Sequence, residues 1–129
     1  MNKIIVEVSI GELLDKISIL EIKQEKITDP EKLKFISNEH SILKDQLNNN
    51  IKTDDKLNKL FQSLKDINSK LWVIEDDKRQ CEKDKDFGEK FVKLSRDVHF
   101  LNDDRAKIKL EINNHTGSII KEIKEYTNY

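Results

Sequence analysis

Apolar residues recur at every third or fourth position along most of the chain, a spacing typical of α-helices. Ser9 is a natural N-cap, so the pattern predicts a first helix that begins there and ends at about Thr28. Asp29 and Pro30 form the cap and first position of a second helix. That helix should end at about Asn49, at the start of a polar turn.

The first predicted helix is apolar on two sides. One side carries the main stripe, and Ile19 and Ile22 lie on the opposite side. A single hydrophobic neighbour cannot cover both sides of a helix. The helix is therefore expected either to be sandwiched between other helices or to form part of an oligomer interface.

Two longer stripes follow and predict a helical hairpin. Unbroken steps of three and four residues predict a third helix over about residues 54–86 and a fourth over about 89–114. At 1.5 Å per residue the third helix would be roughly 45 to 50 Å long. Phe87 and Gly88 form a natural stop between the two helices. We therefore expect a long, antiparallel, coiled-coil-like hairpin.

The two ends of the chain have a different pattern. Residues 3–9 are rich in β-branched side chains and predict a short strand. Residues 118–126 fit one helical face or a strand, and the strand is favoured because a lone N-terminal strand would leave its backbone groups unpaired. The predicted fold is mainly α, an antiparallel helical bundle with a short terminal β element, in a single domain over residues 1–129.

Composition and net charge limit the classes of partner and cofactor that we expect. Charged residues make up 38% of the chain and hydrophobic residues 36%, and the net charge is −1. Because there is no excess positive charge, we expect neither nucleic acid nor a membrane as partner. No spacing of Cys and His suggests a metal site, and we expect no cofactor. The unpaired Cys81 and the short apolar run at Ile4, Ile5 and Val6 favour a cytoplasmic protein.

Arginine is scarce, and its positions are clustered. Of 24 basic residues only Arg79, Arg96 and Arg105 are arginine, and all lie within one predicted hairpin. Lysine cannot replace the planar guanidinium group where a bidentate or stacked contact is needed. These arginines are therefore candidates for specific contacts through the guanidinium group. The alternative is that they cluster by chance.

The predicted turn at Phe87 and Gly88 would place Arg79 level with Arg96, and Trp72 level with Asp103. Three interpretations follow, of which an internal salt-bridge network that fixes the hairpin register is the favoured one. The others are a bound carboxylate or phosphate, and an acidic or aromatic element of a partner protein. Trp72 is either a core residue or a stacking platform for a ligand.

Several motifs resemble the DUF6165 family of bacterial and phage proteins. They include Gly-Glu-Leu-Leu-Asp-Lys-Ile from Gly11, Leu-Trp-x-Ile-Glu-Asp from Leu71, and Asp-Phe-Gly from Asp86. The similarity covers nearly the whole chain and implies no activity; its one hint is an association with surface-polysaccharide or glycosyltransferase genes. The chain departs from the family pattern at Lys78, Ser95 and His99. Tyrosine is usual at position 99, which argues against His99 as an obligatory base or ligand.

The leading hypothesis is a non-catalytic helical interaction or assembly module that self-associates or binds a partner protein. It rests on the two-sided first helix and on the lack of a complete catalytic set. The alternative is an anion-binding domain or small enzyme for a phosphorylated or carboxylated metabolite, such as a nucleotide sugar, with Arg79 and Arg96 as an anion clamp. In that alternative Glu75 or Asp103 would be the acid/base. The candidate ligand- or partner-binding residues are Trp72, Glu75, Asp76, Arg79, Arg96, Asn102, Asp103 and Arg105.

Overall fold

The computed structural model describes residues 2–129, which form four α-helices. The prediction of a mainly helical fold is confirmed, and every predicted helix end lies within two residues of the observed one. None of the helices in these residues is long and apolar enough to cross a membrane. The helices are α1 (Ile10–Lys26), α2 (Pro30–Asn50), α3 (Asp55–Asp84) and α4 (Glu89–Thr116).

Side-chain caps set the beginning of three helices. The Ser9 hydroxyl accepts a hydrogen bond from the Glu12 backbone N–H at 3.0 Å. Asp29 caps α2, and Asp54 caps α3 by accepting from the Leu57 N–H at 2.8 Å. Each cap satisfies a backbone donor that the first turn of a helix leaves free.

Helix α1 lies at the centre of the fold and packs against all three other helices. Leu14 and Ile17 are buried on one side of it, and Leu20 and Ile22 are buried as well. The side that carries Ile22 is covered only in part, because Ile19 on the same side is half-buried.

Helices α3 and α4 form the predicted long hairpin, joined by residues 85–88. The reversal differs in detail from the prediction, because Lys85 takes the left-handed conformation, with φ 54°, and Gly88 does not. The Asp86 N–H donates to the Cys81 carbonyl at 2.8 Å, which closes α3 in the manner of a Schellman motif. Gly88 instead precedes the first turn of α4.

The hydrophobic core lies at one end of the bundle, where all four helices meet. Towards the tip of the hairpin only Leu71 and Cys81 of α3 are buried apolar residues. The hairpin therefore extends beyond the core as a thin, charged pair of helices. The core cluster consists of Leu14, Ile17, Leu47, Leu57, Leu64 and Ile112.

The predicted terminal β element is wrong, because residues 2–129 contain no strand. After α4 the chain runs back along that helix instead of pairing with residues 3–9. Ser118 accepts from the Ile10 N–H at 3.1 Å, and Lys124 lies 2.6 Å from an oxygen of Asp103. The first contact joins the C-terminal segment to the start of α1, the second joins it to α4, and the Ser9 hydroxyl donates to Glu122 as well. No strand forms beside residues 3–8.

Candidate functional site

A buried polar network joins α1, α3 and α4 beneath the candidate site. Asp15 of α1 is only 1% exposed. Both of its carboxylate oxygens accept from the Arg105 guanidinium, and the Nε contact is 3.0 Å long. The Asn68 amide donates to Asp15 and to the Ser18 hydroxyl, at 2.8 Å each. One carboxylate thus fixes the relative positions of three helices.

The Asp15–Arg105 pair stays ionised at neutral pH. Burial raises the pKa of Asp15, but hydrogen bonds from Arg105 and Asn68, with the charges of Arg105 and Lys109, lower it below its ordinary value. The hydrogen bond to Asp15 raises the pKa of Arg105 against the opposing effect of burial. Lys109 lies 2.6 Å from Glu12 and 3.7 Å from Asp15.

Gly11 allows the close approach of α1 and α4 that this network requires. Its N–H donates to the Asn113 side-chain oxygen at 2.7 Å in a buried contact. A Cβ atom at position 11 would lie 2.6 Å from the Lys109 carbonyl oxygen, a distance that real Cβ atoms do not tolerate. The two backbones are therefore in direct contact here, and only glycine fits.

A cleft of about 460 Å³ opens beside the network, between α1, α3 and α4. Ile19, Ile22 and Leu71 line it with apolar side chains, and Trp72 is half-buried in its wall. Amide and charged side chains line the remainder. These polar residues are Asn68, Asn102 and Arg105 towards the core, and Glu75, Asp76 and Arg79 towards the hairpin tip.

Both arginines of the cleft already have partners within the chain. Arg79 donates from one nitrogen to the Glu75 carboxylate at 2.8 Å and to the Glu75 carbonyl at 2.9 Å. Arg105 is held by Asp15 and also donates to the Asn102 oxygen at 3.3 Å. The two guanidinium groups therefore contribute little unneutralised positive charge to the cleft.

Arg79 itself lies at the surface, with 72% of its side chain exposed. Its pair with Glu75 joins successive turns of one helix, and exposed pairs of this kind stabilise proteins by at most about 1 kcal/mol. We therefore expect Arg79→Ala to leave the urea midpoint of unfolding nearly unchanged. A large drop in the midpoint would mean that Arg79 has a structural role.

The structure brings six of the eight predicted site residues into this cleft and places the other two elsewhere. Asp103 lines a second cavity. Arg96 lies over the Phe100 ring, with its guanidinium carbon 5.9 Å from the ring centroid. Of the predicted anion clamp, Arg79 lines the cleft and Arg96 does not. The six residues in the cleft are Trp72, Glu75, Asp76, Arg79, Asn102 and Arg105.

The second cavity, of about 470 Å³, lies between α4 and the C-terminal segment. Asp103 accepts there from Lys124 at 2.6 Å and from the Tyr129 hydroxyl. The His99 ring packs against Phe100 and Tyr129, with centroids 4.7 and 5.4 Å away. His99 thus belongs to an aromatic cluster. Asp103 was predicted level with Trp72, but the two residues line different cavities.

Asp15, the centre of the polar network, is not among the residues predicted from the sequence. The sequence does contain an indication of its role. Gly11, Asp15 and Ser18 are small or polar residues at helical spacing, on the same side of α1 as the buried Ile22. A charged residue on a buried helix side normally has a partner of opposite charge. The walls of the cleft offer apolar surface, amides and paired charges.

The comparisons with known proteins place the chain in a family. No curated protein and no solved structure shows significant similarity to it. The family described as "Family of unknown function (DUF6165)" matches residues 4–129, which is nearly the entire chain. The resemblance in the sequence motifs is thereby confirmed, and the chain belongs to the DUF6165 family.

Proposed function

We propose that the chain is a non-catalytic helical interaction module that binds a partner protein in the cleft between α1, α3 and α4. One observation carries the proposal: the half-buried Trp72 ring stands beside the apolar side chains of Ile19 and Ile22, within a rim of charged residues. Clefts of this composition match the hot spots of protein interfaces, where tryptophan and arginine are enriched and a polar rim excludes water.

The charge balance favours a protein side chain over a free anion. The carboxylates of Glu75 and Asp76 equal in number the guanidinium groups of Arg79 and Arg105, and Asp15 adds a further negative charge beneath the cleft. An anion would have to compete with Glu75 for Arg79, next to the like charge of Asp76. An apolar or aromatic side chain has only to displace water from the apolar wall.

Two further features concern self-association and the cellular compartment. The main apolar stripe of α1 is buried within the chain, and its second side, with the half-buried Ile19, lines the cleft to which we assign the binding. The buried free thiol of Cys81 suits a reducing compartment, so the proposal places the module in the cytoplasm.

Peptides selected from a random display library against the immobilised chain provide the test. We expect Trp72→Ala to weaken their binding by about tenfold or more, because truncation of a hot-spot tryptophan commonly has such an effect. Val73→Ala is the matched control, since Val73 is 49% exposed and lines a different surface with Phe100. Circular dichroism verifies that both variants are folded. Equal binding to the wild type and to Trp72→Ala would contradict the proposal.

The anion alternative gives a different result in a thermal shift assay. Under our proposal, inorganic phosphate and citrate leave the melting temperature of the wild type unchanged beyond the effect of ionic strength. A ligand that binds only the folded state raises the melting temperature. A rise that Arg79→Lys abolishes would favour the anion-binding domain instead, because lysine cannot reproduce the guanidinium geometry.

A further inference from the structure

We infer that the cleft receives the N-terminal arm, residues 2–8, of a second copy of this chain; the inference rests on the proposed function. The arm contains no helix or strand and precedes the cap of α1. Ile4, Ile5 and Val6 are 90%, 83% and 68% exposed. Three consecutive exposed apolar side chains favour burial against another surface. If two copies exchange their arms, each arm is buried in the cleft of the other copy.

The arm is too short to place its apolar residues along the whole of its own cleft. Ile5 lies four residues before Ser9, which an extended chain spans in roughly 13 Å. Ile19, the more exposed isoleucine of the cleft, lies ten residues beyond Ser9 on α1, about 15 Å away along the helix. An arm that folded back along α1 would therefore bring Ile5 no further than Ile19 and would leave the end of the cleft at Asp76 and Arg79 uncovered. The arm of a second copy is not tethered to α1 of the first copy and can lie along the entire cleft.

The charges of the arm match those of the cleft. Lys3 and Glu7 flank the apolar residues and lie roughly 13 Å apart in an extended segment. Along α3 the cleft extends from Asn68 to Arg79, and the eight residues of helix between Asn68 and Asp76 span about 12 Å. With its apolar residues against Trp72, the arm therefore brings Lys3 close to Glu75 and Asp76, whose two carboxylates outnumber the single guanidinium of Arg79 there.

The opposite end of the cleft suits Glu7. Asn68, Asn102 and Arg105 line it. The Asn68 amide already donates to Asp15 and Ser18, so the Asn102 amide is the group that can donate to the Glu7 carboxylate or to the backbone of the arm. In this orientation the arm lies antiparallel to α3, with its N-terminal end towards the hairpin tip. A two-fold axis lets each copy provide one arm and receive the other, so that both clefts are filled in a closed dimer.

Sedimentation velocity of the full chain over a series of concentrations tests the inference. We expect the wild type to dimerise and Ile5→Asp to weaken the dimer by about tenfold or more, because a buried charge would then enter the apolar cleft. Ile123→Asp is the matched control, since Ile123 is an isoleucine in an extended segment with the same 83% exposure. Neither variant should disturb folding. A strictly monomeric wild type, or equal losses in both variants, would overturn the inference.

Charge reversal tests the orientation of the arm. Lys3→Glu should weaken the dimer, and adding Asp76→Lys should restore it, because the reversed pair again has opposite charges. Trp72 is the only tryptophan in the chain, so its emission reports directly on the cleft. The emission should shift with protein concentration in the wild type and not in Ile5→Asp. Lack of rescue together with unchanged emission would show that the dimer forms elsewhere.

The outcomes separate this inference from the proposed function. If the chain is monomeric but its selected peptides still require Trp72 for binding, a second copy is not the partner. That result contradicts this inference and still supports the proposed interaction module. A dimer that survives Trp72→Ala, in a chain whose peptides bind equally well without Trp72, would contradict both.

Discussion

Replacing Asp15 by alanine is expected to lower the free energy of unfolding by about 3 to 5 kcal/mol, the usual effect of removing one partner from a buried ion pair. The substitution leaves the guanidinium of Arg105 and the amide of Asn68 without their shared acceptor. Lys109 loses a nearby negative charge as well. Urea denaturation followed by circular dichroism measures the change.

The control for this prediction is Asp104→Ala, which removes an exposed carboxylate from α4 and should change stability by less than about 0.5 kcal/mol. The pH dependence gives a second measurement. Because the pKa of Asp15 is lowered by folding, its contribution is complete above the ordinary carboxyl pKa of about 4 and is lost as the pH falls through the lower folded-state value. The stability difference between the wild type and Asp15→Asn should therefore shrink in acid. A difference that is constant with pH would refute an ionised Asp15.

Gly11→Ala is the second substitution with a large expected effect, about 3 kcal/mol of destabilisation. The new methyl group would lie 2.6 Å from the Lys109 carbonyl oxygen and 2.9 Å from the Asn113 side chain. Helix α1 must move away from α4, which strains the core and weakens the buried hydrogen bond from the Gly11 N–H. Thermal and urea unfolding measure the loss.

Gly88→Ala is the matched control for this steric argument. A Cβ atom there would meet its nearest neighbour, an Asp86 oxygen, at 3.4 Å, an ordinary contact. Its φ of −82° is also open to alanine. The expected cost is below about 1 kcal/mol, from the weaker preference of alanine for the N-cap. Similar losses at positions 11 and 88 would exclude close packing at Gly11 as the cause.

The helices were predictable because their signals are local. The period of the apolar residues and the caps at Ser9, Asp29 and Asp54 depend only on neighbouring positions. The two terminal segments were not predictable in this way. Whether an extended segment becomes a strand depends on a distant partner, and residues 118–129 instead follow α4 through contacts such as Lys124 with Asp103.

The candidate site was predictable only in part, for the same reason. The sequence indicated Trp72 and Arg79 as candidates, and the two do share a cleft. The partner of Arg105 lies 90 residues away on α1, where no pattern in the hairpin can reveal it. Arg96 was grouped with Arg79 by level along the hairpin, but its side chain lies over Phe100. Two residues on neighbouring helices therefore meet only when they lie at the same level along the helix axes and their side chains also point towards each other.

Mapping a selected peptide by NMR tests the central claim, that the cleft between α1, α3 and α4 is the binding surface. The indole N–H of Trp72 gives a single resonance of its type, because the chain has one tryptophan. On titration with the peptide we predict shifts of this resonance and of the signals of Ile19 and Asn102, which line the same cleft. Shifts confined to Val73 and Phe100 on the other surface, with the indole resonance unmoved, would contradict the account.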